Sequence, residues 1–328
     1  MDGIGDKKIL KDFGEYMELR DFTKKTVENY RSCITFYSKW LTKNNLQILS
    51  VQDMSDKKII EGFLKYLRTE HTNGNGQPLS YARLCVYFSA LNRLYDYLEY
   101  NDKVTYNIIL KVRTHFLRQF KNGYVAAKRR IIPMSEMSLY LNSIMTILDK
   151  IINVILVKTS CRRSELISMD VDDINWSLRA INIKERKFKK RTNTYVFFDE
   201  ETERLLRMWL KRRKMYVKPG EKALFINQNG TRVTKNIVYD AVTRWASKYI
   251  LPDGTKLHNA VSKRLDEHFS PHSLRHCNTT YLLKSGMPKD FVKEIRGDKR
   301  GEVIDIYNHI SLEDLQQSYL ACMPRFNI

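Results

Sequence analysis

Apolar side chains recur at every third or fourth position through the first third of the chain, and this spacing constrains the fold more than any other feature. Thr23 can cap a helix, and Ser80, which follows a turn-rich segment at 73–78, can open another. A repeat near 3.6 residues places such side chains on one helix face. Residues 1–115 are therefore predicted to form an all-helical domain whose aromatic side chains are core rather than base-stacking platforms. The periodic positions are Val27, Tyr30, Ile34, Tyr37 and Leu41; Ile59, Ile60, Phe63, Leu64 and Leu67; and Leu84, Tyr87, Phe88, Leu91, Leu94, Tyr95 and Leu98.

The apolar repeat is lost over residues 116–133. This stretch contains many basic residues and few side chains that could pack in a core. Such a stretch is typical of an interdomain linker. A second domain is then predicted over residues 134–328. The chain has 328 residues, of which 43% are hydrophobic, and this is enough to bury two cores.

The second domain is predicted to combine helices with a pair of strands. Ile147–Lys158 has the composition of a buried helix, and residues 180–183 and 194–198 read as two strands joined by a basic turn. The fold class expected is mainly α with a small antiparallel β-sheet in the C-terminal domain. Further helices are expected near Glu200–Arg213, near Lys235–Lys248 and from Pro271 onward.

Basic residues exceed acidic ones by a wide margin, and they cluster. The formal net charge is +20 and the sequence pI is about 9.6. Six of the eight residues from Lys184 to Arg191 are basic, and further runs lie at 128–130 and 211–214. Such clusters fit the phosphates of nucleic acid, and a basic surface that only confers solubility is the alternative. The residues predicted to contact DNA are Lys128, Arg129, Arg130, Lys190 and Arg191.

The cysteines and the apolar stretches bear on the compartment. Five cysteines are scattered without C-x-x-C spacing, which indicates a reducing compartment and argues against a disulfide frame or a cysteine zinc site. Met1 leads into acidic and basic residues, so no leader peptide is expected. The apolar stretch 151–157 contains Asn153 and is too short to cross a bilayer. A cytoplasmic protein without a membrane partner is expected.

Four side chains in three short motifs form a set suited to phosphoryl transfer. Arg162 lies in TSCRRSEL, His272 and Arg275 lie in HSLRH, and Tyr307 lies in DIYNH. A tyrosine attacks a phosphodiester only if the transition-state charge is neutralised and the leaving oxygen is protonated. Arginine suits the first task, since its planar group donates two hydrogen bonds and keeps its charge.

Neighbouring residues at helical spacing support these candidates. Glu165 follows Arg162 by three residues and could hold its guanidinium or a histidine, with a surface ion pair as the alternative. His272 precedes Arg275 by three residues, so both can point into one pocket, although a core histidine is the alternative. His268, His272 and His276 are four residues apart, and histidines at this spacing on a helix can ligate zinc.

Zinc is not favoured at these histidines. Ser270 as N-cap and Pro271 at the first helical position place the helix start after His268. Two of the three histidines then share a helix, and no carboxylate follows at ligand spacing. No metal and no other cofactor is expected.

The nucleophile and the proton donor are less sharply defined. Tyr307 lies on a short element between a turn-like stretch and a helix opened by Ser311, and Tyr319 on that helix is the runner-up. A lysine on the hairpin turn could protonate the leaving 5′ oxygen. The candidates for this acid are Lys187, Lys189 and Lys190.

Together these motifs resemble the tyrosine recombinase family, the integrases and resolvases that cut and rejoin DNA. TSCRRSEL is similar to the family pattern T-G-L-R-I-S-E-L, and HSLRH is similar to H-x-L-R-H. The run from Ile295–Gly297 to Ile306–His309 resembles L-G-H…I-Y-T-H, and Leu224–Ile226 with Gly230 and Val233 resembles the stretch before the second box. The resemblance implies a helical core-binding domain followed by an α+β catalytic domain.

The resemblance also implies roles. Arg162 and Arg275 would clamp the transition state, His272 would accept a proton or bind phosphate, and Tyr307 would be the nucleophile. Lys187 would be the hairpin acid, with Lys189 as rival because the turn is longer than is common. Glu165, His276 and Asp298 would support these groups.

One position departs from the family pattern. The family has His or Trp directly after the glycine matched by Gly297, whereas this chain has Asp298. An acid near the scissile phosphate would repel it. Either Asp298 points away, or His309 or Lys299 takes its place.

The implied reaction is a site-specific recombination of double-stranded DNA through a 3′-phosphotyrosine, without ATP or metal. Strand exchange would require a homotetramer on two paired sites, and the resemblance leaves open whether accessory DNA-bending proteins take part. The implied setting is a nucleoid-associated enzyme of the cytoplasm that acts on a mobile element. A type IB topoisomerase and a catalytically silent DNA-binding protein are the alternatives.

Overall fold

The chain divides into two units, Met1–Ala126 and Ala127–Ile328, each with its own hydrophobic core. The computed structural model describes residues 4–72, 76–117, 129–183, 194–262, 264–298 and 310–328. Domain boundaries at 115 and 133 stay a prediction.

The first unit is helical. Thr23 and Ser80 cap two of its helices, since the Thr23 side chain accepts a hydrogen bond from the Thr26 amide and the Ser80 side chain accepts one from the Arg83 amide. Short 3₁₀ turns lie at Ile48–Ser50 and Met54–Asp56, and a π-helical turn lies at Arg113–Leu117. The helices are α1 (Ile4–Leu19), α2 (Lys24–Lys43), α3 (Lys57–Thr69), α4 (Tyr81–Tyr100) and α5 (Ile109–Val112).

Aromatic side chains fill the core of this unit. Tyr37, Phe63, Phe88 and Tyr95 are fully buried. The Tyr37 and Tyr95 hydroxyl groups lie 3.3 Å apart, and Tyr95 also donates to the Ile48 carbonyl at 3.0 Å. Burial with satisfied hydroxyl groups confirms that these aromatic residues belong to the core.

Within its described residues, the second unit combines helices with one small sheet. Its three strands are antiparallel in the order β1-β2-β3, and Ile181 of β2 pairs with Ile174 and Val196. The strand pair expected from the sequence is confirmed, and its basic turn lies outside the described residues. The elements are α6 (Met134–Asn142), α7 (Ile147–Thr159), α8 (Arg163–Ser168), β1 (Ile174–Asn175), β2 (Ala180–Asn182), β3 (Tyr195–Phe197), α9 (Glu200–Arg213), α10 (Lys235–Ala246), α11 (Pro271–Lys284), α12 (Lys289–Arg296) and α13 (Leu312–Cys322).

Helix α7 is the central element of the second unit. Its residues from Ile151 to Thr159 are buried, and it packs against α9, α10 and α11. An apolar helix surrounded on several sides has a fixed position, so the residues that follow its C-terminal end are fixed as well. Those residues lead directly into the TSCRRSEL motif.

A buried ion cluster joins α7 to the end of the chain. The Lys158 ammonium group is fully buried and binds the carboxylates of Asp199 and Glu201 and the Pro324 carbonyl. Glu201 accepts hydrogen bonds from the amides of Phe326 and Asn327, at 2.9 and 2.6 Å. The residues after helix α13 therefore pack on their own unit, as do Leu315 and Tyr319 of α13, which lie in a hydrophobic cluster of the same unit.

All five cysteines are free: Cys33, Cys161 and Cys277 are buried, whereas Cys85 and Cys322 are partly exposed. Within the described ranges, no helix has the length and apolar character that crossing a bilayer requires. No group of three or more His, Cys, Asp or Glu side chains that could hold a metal lies among the same residues.

Candidate active site

Arg162 stands between two helices that fix its backbone. Helix α7 ends at Ser160, which has a left-handed backbone (φ 55°), and Arg162 is the N-cap of α8. Its backbone amide donates to Glu165 Oε2 at 2.7 Å, and its Nη1 donates to Glu165 Oε1 at 2.8 Å. One carboxylate thus caps the helix and orients the guanidinium group, as the capping-box arrangement allows.

Arg275 lies on α11, whose start at Ser270 and Pro271 is as expected from the sequence. Its side chain is only 5% exposed. Nη1 donates to the Ser160 carbonyl, and Nη2 donates to the Arg296 carbonyl at 2.9 Å. Burial, together with the charges of Arg162 and Arg296, lowers the pKa of Arg275 to about 10, so the group stays protonated at neutral pH.

Asp298 brings the arginines together. Its Oδ1 accepts from Arg162 Nη2 at 3.3 Å and from Arg275 Nη2 at 3.1 Å. Its Oδ2 accepts from Arg296 Nε at 2.6 Å. The alternative in which Asp298 points away is therefore wrong, because its carboxylate lies between the arginines.

Sequence reasoning assigned no role to Arg296. Its guanidinium also donates to Thr279 Oγ1 of α11 at 2.8 Å, so α12 and α11 are joined at this point. Its place directly before the matched Gly297 was the signal that could have identified it. We call Arg162, Arg275, Arg296, Glu165 and Asp298 the arginine cluster.

Two histidines on α11 lie beside the arginine cluster. The Nε2 atoms of His272 and His276 are 3.1 Å apart, and the rings are nearly perpendicular. Partial burial, and then the charges of Arg129, His276, Arg275 and Arg296, lower the pKa of His272 to about 4. Partial burial and the nearby arginines also lower the pKa of His276. Both rings are therefore neutral at pH 7.

His268 does not join this pair. Its Nε2 lies 2.6 Å from the Ser262 carbonyl, and its ring contacts that of His258. The helix begins after His268, as the Ser270 and Pro271 signals predicted. The three histidines therefore do not converge.

A cleft of about 300 Å³ opens over the motifs. Arg162 and Arg275 line it together with His272, Arg129 and Arg163. A concave site with several guanidinium groups and a neutral imidazole suits an anion that also exchanges a proton.

Two other predicted residues, Arg130 and Tyr319, make contacts within the fold. Arg130 donates to the carbonyls of Asp266 and Lys256 at 2.8 and 3.0 Å, so its guanidinium group joins parts of the same unit. Tyr319 is fully buried and packs on Phe197, and burial raises its pKa. The candidates that lie outside the described residues are Lys128, Lys187, Lys189, Lys190, Arg191, Lys299, Tyr307 and His309.

Two known protein families match this chain. Residues 130–313 match the phage integrase family, and residues 9–103 match the N-terminal SAM-like domain of phage integrases. The chain belongs to the phage integrase family, that is, to the tyrosine recombinases.

Among curated relatives, the chain is similar to tyrosine recombinase XerC from Vibrio cholerae, with 29% identity over 55% of this chain. That match spans 53%, about half, of the length of the relative. It is also similar to XerC from Vibrio parahaemolyticus, with 23% identity over 97% of this chain and 94% of the relative.

Solved structures show the same fold. The Tn1549 transposon integrase in complex with circular intermediate DNA aligns over 94% of this chain and 98% of that chain, with 20% identity and a TM-score of 0.62. A lambda integrase dimer bound to a COC' core site aligns over 93% and 98%, with 14% identity and a TM-score of 0.61. The mainly helical fold with a small antiparallel sheet is thereby confirmed.

Proposed function

We propose that this chain is a site-specific DNA recombinase that cuts and rejoins DNA through a 3′-phosphotyrosine intermediate. One observation carries the proposal: Arg162 and Arg275, from distant parts of the chain, both donate to a single oxygen, Oδ1 of Asp298. A pair of guanidinium groups that binds one oxyanion can bind a non-bridging phosphate oxygen in the same way.

The arginines would act on the charge that develops at phosphorus. Attack on a phosphodiester creates a pentavalent transition state with extra negative charge on its equatorial oxygens. Arg275 is held by two helix ends and Arg162 by Glu165. Because neither group needs to reorganise, the stabilisation is available at the moment of reaction.

His272 would accept the proton or bind the phosphate. With a pKa of about 4, its imidazole is neutral at pH 7 and can accept a hydrogen bond or a proton. His276, whose Nε2 is 3.1 Å away, would hold the His272 ring in place.

Tyr307 would be the nucleophile, and Lys187 or Lys189 would protonate the leaving 5′ oxygen. The phenolic oxygen would form a bond to phosphorus as the 5′ oxygen departs, and the reverse attack by a 5′ hydroxyl would rejoin the strand. The phosphodiester bond energy is kept in the intermediate, so neither ATP nor metal is required. Burial of Tyr319 disfavours it as the nucleophile.

Double-stranded DNA is the partner that the charge and the relatives favour. The structural neighbours include a transposon integrase in complex with circular intermediate DNA and a lambda integrase dimer bound to a core site. We propose that the protein acts as a homotetramer on two paired DNA sites and is associated with the nucleoid in the cytoplasm. Whether accessory DNA-bending proteins take part is left open.

The proposal is tested with a nicked suicide DNA substrate taken from the junction of the element that carries the gene. The full-length chain should form a covalent adduct, and Tyr307→Phe should form none. Tyr319→Phe is the matched control, because the Tyr319 hydroxyl has no hydrogen-bond partner among the described residues and its loss should leave the adduct intact. An adduct that persists in Tyr307→Phe would refute the assignment of the nucleophile.

The alternatives give different results in simple assays. A type IB topoisomerase would relax supercoiled plasmid of any sequence, whereas a recombinase would act only on a plasmid that bears its target. A silent DNA-binding protein would bind the target without an adduct. A metal nuclease is a more distant alternative, and cleavage that is undiminished in EDTA would exclude it.

A further inference from the structure

Asp298 has a backbone position that directs its side chain to the arginines. Helix α12 ends at Gly297 with a left-handed backbone (φ 60°), and the Gly297 and Asp298 amides donate to the carbonyls of Glu294 and Lys293. Such a C-cap fixes the direction in which the chain leaves the helix. The C-cap therefore places Asp298 beside the guanidinium groups, and the rotamer of its side chain brings the carboxylate into contact with them.

Both hydrogens on one nitrogen of Arg275, Nη2, already have acceptors. Nη2 of an arginine carries two hydrogens. In Arg275 one binds the Arg296 carbonyl and the other binds Asp298 Oδ1. A phosphate oxygen can bind this nitrogen only if one of these acceptors leaves, and the side-chain carboxylate is the one that can rotate away.

At Arg162, Asp298 takes one of the two Nη2 hydrogens. The Nη1 of Arg162 is bound by Glu165. The oxygen of Asp298 thus lies where both guanidinium groups converge, which is the place where an oxygen of a bound phosphate would lie. A carboxylate and a phosphate cannot share this place, because both are negative and both need the same donors.

We infer that the Asp298 carboxylate is an internal competitor for the phosphate, which holds the arginine cluster in order without DNA and is displaced when DNA binds. The inference rests on the proposed function, since it assumes that the cluster binds the scissile phosphate. It reconciles an acid at this position with a phosphate site: the acid is the resting ligand of the arginines.

The test compares the affinity for inorganic phosphate in the full-length wild type, Asp298→Asn and Asp290→Asn, by isothermal titration calorimetry. Asp290 is the matched control because it lies on the same helix and is ion-paired with Lys293, so its replacement removes the same charge elsewhere. If the carboxylate occupies the cluster about nine-tenths of the time, Asp298→Asn should bind phosphate about tenfold more tightly. Asp290→Asn should change the affinity by less than about twofold.

Two results would overturn the inference. An affinity in Asp298→Asn equal to that in Asp290→Asn would show that the carboxylate does not compete. A weaker affinity would show that Asp298 only positions the arginines for phosphate. Phosphate bound elsewhere on the basic surface is identified with the double variant Arg162→Lys/Asp298→Asn, in which the gain should disappear.

A second measurement needs no variant. Wild-type crystals soaked in inorganic phosphate should show the anion bound to Nη2 of Arg162 and of Arg275, with the Asp298 carboxylate rotated away. An anion bound there with Asp298 in its original place would refute the competition. The phosphate-binding experiments and the suicide-substrate experiment are independent of each other. If the covalent adduct forms but Asp298 does not compete with phosphate, only the inference about Asp298 is wrong. If Asp298 competes with phosphate but no adduct forms, only the recombinase proposal is wrong.

Discussion

Lys158 and Arg275 are both buried cations of the second unit, but the charges around them are balanced differently. Lys158 is enclosed by two carboxylates and a carbonyl, so its cluster has more negative than positive groups. The arginine cluster has three guanidinium groups and the carboxylates of Glu165 and Asp298, and a cleft opens beside it. The Lys158 cluster is closed and its cation is surrounded by carboxylates, so it holds the fold together. The arginine cluster is open and has excess positive charge, so it can take another anion.

The largest effect is expected when the closed cluster loses its cation. Lys158→Met should lower the free energy of unfolding by about 3–5 kcal/mol, because two carboxylates are left buried without their partner. Chemical denaturation of the full-length chain measures this. Lys150→Met, a partly buried lysine on the same helix, is the control and should cost less than about 1 kcal/mol. Equal losses in both variants would show that Lys158 contributes no more to stability than an ordinary, partly buried lysine.

A substitution in the arginine cluster should change the activity of the protein and not its stability. Arg162→Lys keeps the charge but loses the planar fork, so adduct formation on the suicide substrate should slow by about 10²–10³-fold. Because the side chain is 35% exposed, the unfolding free energy should change by about 1 kcal/mol or less.

Arg204→Lys is the matched control for that variant, since Arg204 pairs with Glu200 on an exposed helix face. Its adduct rate should stay within about twofold of wild type. A large loss of stability in Arg162→Lys with an unchanged rate would assign the arginine cluster to the fold instead.

A smaller effect is expected from the backbone that links the two clusters. Ser160 has a left-handed backbone, and its hydroxyl is buried without a hydrogen-bond partner among the described residues. Ser160→Gly should therefore raise the unfolding free energy by about 1 kcal/mol. Ser285→Gly is the control, because Ser285 also ends a helix but has φ −81°, and it should give no gain. Equal gains would show that helix-end flexibility matters more than backbone strain.

The smallest effect concerns acid stability. The pKa of His272 is about 4 in the folded chain and 6.5 as its ordinary value, so the unfolded chain takes up a proton first as the pH falls. Stability is therefore lost between pH 6.5 and about 4. His272→Gln should reduce this slope by only a fraction of the roughly 1.4 kcal/mol per pH unit that one proton contributes, because His272 is exposed and solvent screens it.

Thermal unfolding followed over that pH range provides the measurement. His115→Gln, in the first unit, is the control and should leave the transition of the second unit unchanged. An identical slope in wild type and His272→Gln would show that His272 is not held neutral by its surroundings.

The sequence predicts the helices of the first unit well because the information is local. Thr23 and Ser80 cap helices where their side chains indicated, and the periodic apolar positions are buried except Tyr30 and Ile59, which are partly buried. Helix α1 went unrecognised, although Ile9, Phe13 and Met17 repeat at four-residue spacing and are buried. Strand β1 has two residues, which is too short for an alternating pattern to show.

The candidate site was predicted only in part. The motifs identify Arg162, His272 and Arg275, and the structure brings them to one cleft. The role of Arg296 and the inward direction of Asp298 depend on how α7, α11 and α12 pack, and helical periodicity does not encode which elements meet. The carbonyls that bind Arg275 leave no mark in the sequence either, since any residue supplies a carbonyl.

The distribution of the cysteines has a practical consequence for fluorescence work. Each unit has one partly exposed thiol, Cys85 in the first and Cys322 in the second, whereas the other three are buried and one of them, Cys277, has its pKa raised by burial to about 11. Maleimide dyes react with accessible thiolates and leave buried thiols intact. The natural chain therefore carries a donor and an acceptor attachment point, one in each unit, without any engineered cysteine.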